Sequence, residues 1–351
     1  MKRKIAILGA GMMGSALAFP AAENGNDVHI IGTCLDDEII DGYLKTRKHE
    51  KFCRPFPENV KYHYFKEWKQ VVEGCDFVIG GGSSCGVDWV LEEILTQLDP
   101  KMPVLSVTKG LRATEDGTLL SYPGFWESEL AKRGIHRTIC AIGGPCTSYE
   151  LVFMDPSEVG FCGKDNDALR MMKEAMQRPY YHISLTNDVI GLESAVALKN
   201  AYAMAVTLAV GLNTRWHGEQ EPQHYNSQAG TFTQAVRETH ALMQLQGGTF
   251  ESECIGLGDL YVTIFSGRTR RCGVLMGQGL NYDEVTEALA GITLESLVIT
   301  RVMGNAIRRK AELGLVDLKD FPLLMHIVDI LDKGAADADL PWEAFTFEHL
   351  K

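Results

Sequence analysis

The sequence is short of positive charge. Lysine and arginine number 34 against 46 aspartates and glutamates, a net charge of -12 at pH 7. That balance argues against a nucleic-acid partner, because phosphate backbones call for a basic face. It leaves room for a small phosphorylated ligand, since a local cluster of cations can sit in an acidic shell. Paired cysteines are missing as well. The 9 cysteines are scattered singly, odd in number and without a CxxC, which fits free thiols in a reducing, cytoplasmic setting and not a disulfide framework. No uninterrupted apolar run reaches the roughly 18 residues of a membrane span, so no membrane insertion is expected. Internal repeats and low-complexity tracts are absent. The polar stretch 211–226 carries His217, Glu219, Glu221 and His224, but their spacing matches no familiar zinc site, and no metal is expected.

What is present suits a globular protein: 45% hydrophobic and 23% charged residues. At 351 residues the chain exceeds what one core needs, so two domains are expected. The start, MKRKIAILGAGMMG, superficially has the basic-then-apolar order of a secretory signal, but the glycines that follow favour a first β-strand. Lys4 to Leu8 reads as that strand, a helix pattern runs from Ser15 to about Asn24, and Val28 to Ile31 reads as a second strand. Gly9-Ala10-Gly11-Met12-Met13-Gly14 is thus a G-x-G-x-x-G between a strand and a helix. There the glycines permit a tight turn and close approach, and the helix N-terminus can receive a pyrophosphate. An acid at the end of the second strand would hold ribose hydroxyls, and a base would accept a 2'-phosphate. The chain has Thr33 there, with Asp36 and Asp37 several residues late. The choice between NAD and NADP stays open.

Lys45 to Pro57 reads as a polar, solvated surface excursion. The α/β alternation resumes with strands at Asp76–Ile79, Pro103–Val107 and Thr138–Ile142 and an amphipathic helix at Val87–Leu98. Strand ends face ligands in open parallel sheets, which singles out Gly80–Ser84 and Lys109. Val159–Cys162 and Tyr181–Leu185 complete the sheet around a helix near Asp167–Gln177, and beyond Asn187 almost everything reads as helix. The division expected is therefore an α/β dinucleotide-binding domain, residues 1–187, and an all-α domain, residues 188–351.

Asp188 to Leu212 is apolar nearly all round, as in a helix at the centre of a domain, with Asp188 placed to cap it. Lys199 interrupts it, followed by Asn200. A partly desolvated lysine is a natural proton donor near neutral pH, although a lysine snorkelling to the surface fits the helix alone equally well. Later come Gly256-Leu257-Gly258-Asp259-Leu260, Thr263, and Ser266-Gly267-Arg268-Thr269-Arg270-Arg271. Guanidinium groups beside a glycine and hydroxyls make a phosphate anchor or a solvated charge run. Asn281 is placed to cap a helix from Tyr282, and further helices span roughly 294–313 and 321–331.

Taken in order, GAGMMG, VTKG at 107–110, GGP at 143–145, ALKN at 197–200, GLGDL at 256–260 and the SGRTRR block are specific. The chain resembles the NAD(P)-dependent glycerol-3-phosphate dehydrogenases over nearly its whole length. The resemblance implies a Rossmann-type N-terminal domain, an all-helical C-terminal domain, a homodimer, and reversible reduction of dihydroxyacetone phosphate to glycerol 3-phosphate with NAD or NADP. It makes Lys199 the catalytic acid/base, Lys109 a second active-site lysine touching substrate and cofactor, and Asp259 their companion. Gly144, Asn200, Asp259, Thr263, Gly267, Arg268 and Thr269 fall at the substrate. Gly9, Gly11, Met12, Met13, Gly14, Thr33, Ser148, Arg268 and Glu295 fall at the cofactor.

Departures from the family pattern concern the substrate more than the chemistry. Arg-Asn-Arg is usual where this chain has Arg268-Thr269-Arg270, Gly-Pro-Ser-Phe where it has Gly144-Pro145-Cys146-Thr147, and the loop 211–226 is long. A larger phosphorylated ketose or polyol, a carboxylate-directed dehydrogenase on the same scaffold, and a non-catalytic dinucleotide sensor are the alternative readings. If the lysine and the nucleotide loop serve one reaction, the cleft is expected between the domains.

Overall fold

The computed structural model describes residues 2–52, 54–220, 222–292, 294–333, 339–348 and 350. Contacts divide the chain into two compact units, one of residues 1–109 with 121–193 and one of residues 110–120 with 194–351. The boundary therefore falls inside the central helix, and the second unit takes in a short segment from the middle of the α/β half.

The first unit opens with β1 (Lys4–Leu8), α1 (Met12–Glu23), β2 (Asp27–Ile31), α2 (Asp37–Thr46) and β3 (Val60–His63). It continues with α3 (Trp68–Val72), β4 (Phe77–Gly80), α4 (Val87–Trp89) and β5 (Val104–Ser106). The amphipathic segment expected at 87–98 is only partly α-helical, since Val90–Leu95 is wound as π-helix. The strands β6 (Leu111–Ala113) and β7 (Leu119–Ser121) form a separate two-stranded sheet. After it come α5 (Tyr122–Lys132), β8 (Ile139–Gly143), α6 (Ser148–Val152), β9 (Ser157–Cys162), α7 (Asn166–Met176) and β10 (Tyr181–Thr186). The main sheet has the order β10-β9-β8-β5-β4-β1-β2-β3. From β3 to β8 neighbours are parallel, and β9 runs antiparallel to β8. Its central strands are continuous apolar runs, as burial on both faces requires. Chain order reverses between β1 and β4, the place where such sheets leave a crevice.

The stretch 45–57 is not simply solvated. Phe52 and Phe56 are buried, and Phe56 stacks on Phe19 with ring centroids 5.2 Å apart. Two aromatic anchors in a polar segment are enough to fold it onto the sheet's helices.

The second unit consists of α8 (Val189–His217) from Ser194 onward, α9 (Tyr225–Gln246), α10 (Phe250–Thr263), α11 (Gly267–Gly277), α12 (Tyr282–Ala288), α13 (Glu295–Glu312) and α14 (Pro322–Lys333), with the β6–β7 hairpin. Asp188 does cap α8, accepting from the Gly191 amide at 2.9 Å. The helix outruns its expected end and takes up part of the loop predicted at 211–226; Glu221 of that loop lies outside the described residues. By length and composition α8 could cross a membrane, but 94% of its most apolar window is buried inside the protein. It is the unit's core.

Small residues bring the other helices against α8. A methyl group on Gly273 would lie 2.2 Å from Thr207 Oγ1, and one on Gly277 2.2 Å from the Leu208 carbonyl. At Gly256 it would lie 2.3 Å from the Ala195 methyl. α11 and α10 thus meet α8 almost backbone to backbone, at separations that side chains would forbid.

Candidate active site

In the first unit, the Gly9–Gly14 loop closes off β1. Gly9 adopts φ +107°, a left-handed conformation that favours glycine, and its amide donates to the Ile31 carbonyl at 2.8 Å. A methyl on Gly14 would lie 2.4 Å from the Gly9 carbonyl, whereas one on Gly11 would meet nothing within 4 Å. Gly14 therefore serves packing and Gly11 faces open space. No side chain caps α1, so the amides of Met12, Met13 and Gly14 at its first turn can hold an anion. This cradle fits a dinucleotide pyrophosphate.

Thr33 is tied to a residue beyond the strand. Its amide and hydroxyl both donate to Asp36 Oδ2 at 2.8 Å, and the Ala10 amide donates to the same oxygen at 3.2 Å. Strand-end position alone could not reveal Asp36, which a turn returns to the loop. Lys109 follows β5, and its Nζ donates to the carbonyl of buried Gly144 at 3.5 Å. Ser148 opens α6, after Thr147 has capped that helix.

Sequence patterning also missed Glu193. It is fully buried, and neither carboxyl oxygen has a hydrogen-bond partner among the described residues. Burial pushes its carboxyl up to about 8, with the Lys109 ammonium offsetting part of that rise. An acidic residue inside an apolar run is the only signal that could have flagged it.

In the second unit Lys199 does not snorkel to solvent. Its side chain is 12% exposed, and its ammonium donates to Asp259 Oδ1, a carboxylate that is 1% exposed. The helix contacts explain the meeting, because Gly256 abuts Ala195 one turn earlier on each helix. Thr263 completes that face by donating from Oγ1 to the Asp259 carbonyl at 2.7 Å.

The basic block 266–271 forms the N-cap and first turn of α11. Gly267 has φ +89° and a clear space around it, and no side chain caps the helix. Thr269 Oγ1 donates to Asn200 Oδ1 at 3.4 Å, which places this helix start beside the residue after Lys199. Arg268, half exposed, approaches Glu295 at 3.9 Å. Open amides, a guanidinium and an amide side chain beside a buried ammonium can together hold a phosphorylated oxygen compound and protonate it. Among the described residues no cluster of three metal-ligating side chains occurs.

Known proteins share this architecture. The family model for the NAD-dependent glycerol-3-phosphate dehydrogenase N-terminus matches residues 4–169, and that for the C-terminus matches 188–340. The NADP(+)-dependent glycerol-3-phosphate dehydrogenase of Archaeoglobus fulgidus is 30% identical over 98% of this chain and 99% of its own. The glycerol-3-phosphate dehydrogenase [NAD(P)+] of Bacillus pumilus is 29% identical over 85% of this chain and 83% of its own. Among solved structures, the Plasmodium falciparum glycerol-3-phosphate dehydrogenase superposes with a TM-score of 0.80 at 20% identity, covering 100% of this chain and 97% of that one. Matched in both halves by the family's own models, the chain belongs to the NAD-dependent glycerol-3-phosphate dehydrogenase family.

Proposed function

We propose that the chain uses the buried Lys199–Asp259 pair to perform the family's reaction, the reversible NAD(P)H-dependent reduction of dihydroxyacetone phosphate to glycerol 3-phosphate. The observation that carries this reading is the position of that pair next to Asn200, itself bonded to the open first turn of α11.

Lys199 holds the proton destined for the substrate oxygen, and Asp259 aims the ammonium. Arg268, the Gly267 turn and Asn200 grip the phosphate, with Thr269 and Thr263 shaping the pocket. Holding that remote dianion orients the carbonyl, a use of binding energy away from the reacting atoms. Lys109 contributes positive charge against the developing alkoxide, and the Gly144 carbonyl orients it. The bound nicotinamide supplies the hydride. Gly9, Gly11, Met12, Met13 and Gly14 would hold its pyrophosphate, Thr33 and Ser148 would lie along the same cofactor, and Glu295 would set the angle of Arg268.

Residues 1–187 then serve as the dinucleotide-binding part and 188–351 as the substrate-binding part of a cytoplasmic homodimer. Thr269, shorter than the amide usual at its position, favours as a second reading a somewhat larger phosphorylated ketose or polyol. A screen of phosphorylated ketoses and polyols, following reduced nicotinamide by absorbance, tests both. Fastest turnover of dihydroxyacetone phosphate supports the first reading, preference for a longer ketose supports the second, and no turnover of any of them removes both.

A further inference from the structure

The polar stretch 211–226 supplies nothing to the reaction, yet part of it walls a cavity. The last turns of α8 and the first turn of α9 close around a space of about 430 Å³ within the helical unit. Small-molecule sites occupy roughly 300–1,000 Å³. The floor is apolar, formed by Ala209, Leu212 and Leu340. Aromatic rings make the walls: Tyr225, Trp342, and Trp216, half exposed near the end of α8. Trp342 is held in place. A methyl on Gly230 would come within 2.8 Å of its indole, which also meets the Phe345 ring edge-on at 5.4 Å. Arg237 Nη1 in turn donates to the Phe345 carbonyl at 2.7 Å.

Two polar features of this cavity are unspent. α9 is a helix of 22 residues whose cap position holds His224, where Ser, Thr, Asp or Asn is usual, and no side chain caps it. Tyr225, Asn226 and Ser227, its first turn, line the cavity, so the positive end of a long helix opens onto it. The rings of His217 and His224 lie there too, 4.6 Å apart, and bring N–H donors. The opposite pole, the end of α8, carries Arg215 in its last turn. The second feature is independent of the helix. Asn213 lines the same space, is only 5% exposed, and its Oδ1 has no hydrogen-bond partner among the described residues. A buried amide oxygen in that state calls for a donor. Among the described residues that line the cavity there is no carboxylate, lysine or arginine. A phosphate dianion would find no guanidinium fork, and a cation no counter-charge. A single carboxylate can be held by helix amides and an imidazole, with a flat ring against the indole faces.

We propose that this cavity is a second ligand site, which takes a planar aromatic carboxylate bearing a ring hydroxyl or N–H. The carboxylate sits on the first turn of α9, the ring lies against Trp216 and Trp342, and the ring donor reaches Asn213. Asn213 lies 14 residues beyond Lys199 on α8, about 21 Å along the helix axis. The site is therefore separate from the lysine and stands whether or not the chain reduces dihydroxyacetone phosphate.

The test is isothermal titration calorimetry of the full-length protein with 6-hydroxy-2-naphthoate, with NADH present at saturation so that the dinucleotide loop is filled. The comparison compounds are 2-naphthoate, which lacks the donor, and 2,6-dihydroxynaphthalene, which lacks the charge. One-to-one binding with a dissociation constant below about 1 mM is expected, about threefold weaker for 2-naphthoate and about tenfold weaker for 2,6-dihydroxynaphthalene. His224→Asp gives α9 a carboxylate cap of its own, which stabilises the helix while occupying its amides. It should weaken 6-hydroxy-2-naphthoate binding about tenfold with no fall in melting temperature. Trp216→Ala, at a half-exposed position, should weaken it by a similar factor through lost stacking. Absence of saturable binding, equal affinity for either comparison compound, or unchanged affinity in either variant overturns the assignment. So does affinity that falls as protein concentration rises, since a second copy of the chain would then be covering the cavity.

Discussion

The two units build their sites from different materials. In the sheet unit the site is backbone: glycine turns, uncapped amides at the start of α1, and strand ends whose positions follow from the ladder. In the helical unit it is mostly side chain: an ammonium, a carboxylate, a guanidinium and an amide, drawn from α8, α10 and α11 and set beside the open first turn of α11. The first arrangement is local, completed within one strand–turn–helix. The second depends on glycines that let three helices approach at their backbones. Damage to the first should appear in cofactor affinity, and damage to the second in substrate affinity and turnover.

Apart from Lys199→Ala, Arg268→Ala should give the largest effect of the substitutions that probe this contrast. Loss of a charge-assisted grip on phosphate should lower kcat/KM for dihydroxyacetone phosphate about a hundredfold, or about 2.7 kcal/mol. The NADH dissociation constant should rise far less, even though the family resemblance places Arg268 at the cofactor as well. Equal damage to both would erase the distinction between the units.

Gly273→Ala comes next, because its methyl would press on Thr207 Oγ1 and on the Met204 carbonyl at 2.3 Å. Overpacking of this kind costs about 1–3 kcal/mol, and the displaced α11 should lower kcat about tenfold. Thermal melting and steady-state kinetics on the same preparation check both parts. Gly14→Ala is the matching change in the sheet unit, with its methyl 2.4 Å from the Gly9 carbonyl. It should weaken NADH binding about tenfold while leaving the KM for substrate, at saturating NADH, near wild type.

The smallest effect concerns Glu193. Burial raises its carboxyl from 4.5 to about 8, so the folded chain keeps a proton that the unfolded chain gives up over that range. The stability contributed by the neutral acid is complete below about 4.5 and is lost as pH rises toward 8. Glu193→Gln should therefore flatten the fall in melting temperature between pH 5 and pH 9, by a few degrees at the alkaline end (about 2–4 °C per kcal/mol for a unit of this size). Identical pH profiles for variant and wild type would show that Glu193 does not titrate there. The buried Glu238 of the helical unit differs: it accepts from the amides of Leu323 and Leu324, Gln234 Nε2 and the Tyr202 hydroxyl, so its lone pairs are used.

Much of the fold is legible in the sequence, and the reason differs by unit. β1, α1 and β2 announce themselves through short apolar runs and the glycine spacing, and Asn281 and Asp188 cap the helices they precede. Short or tertiary features were not readable. The β6–β7 strands are three residues each, too brief for a period-2 pattern. Phe52 and Phe56 are only two aromatics in a polar stretch. The path by which Asp36 returns to Ala10 is turn geometry, which composition does not report. The pairing of Lys199 with Asp259, 60 residues apart, has no local signal at all. The family resemblance pointed to both residues, while the reason they meet lies in the glycine contacts between helices.

The chemistry proposed for the helical unit requires Lys199 as the proton donor. The direct measurement is kcat for dihydroxyacetone phosphate reduction by Lys199→Ala, with NADH affinity and melting temperature determined on the same sample. Turnover at least about a thousandfold below wild type is expected, with NADH binding within about twofold. Turnover near the wild-type rate in a folded variant would contradict it.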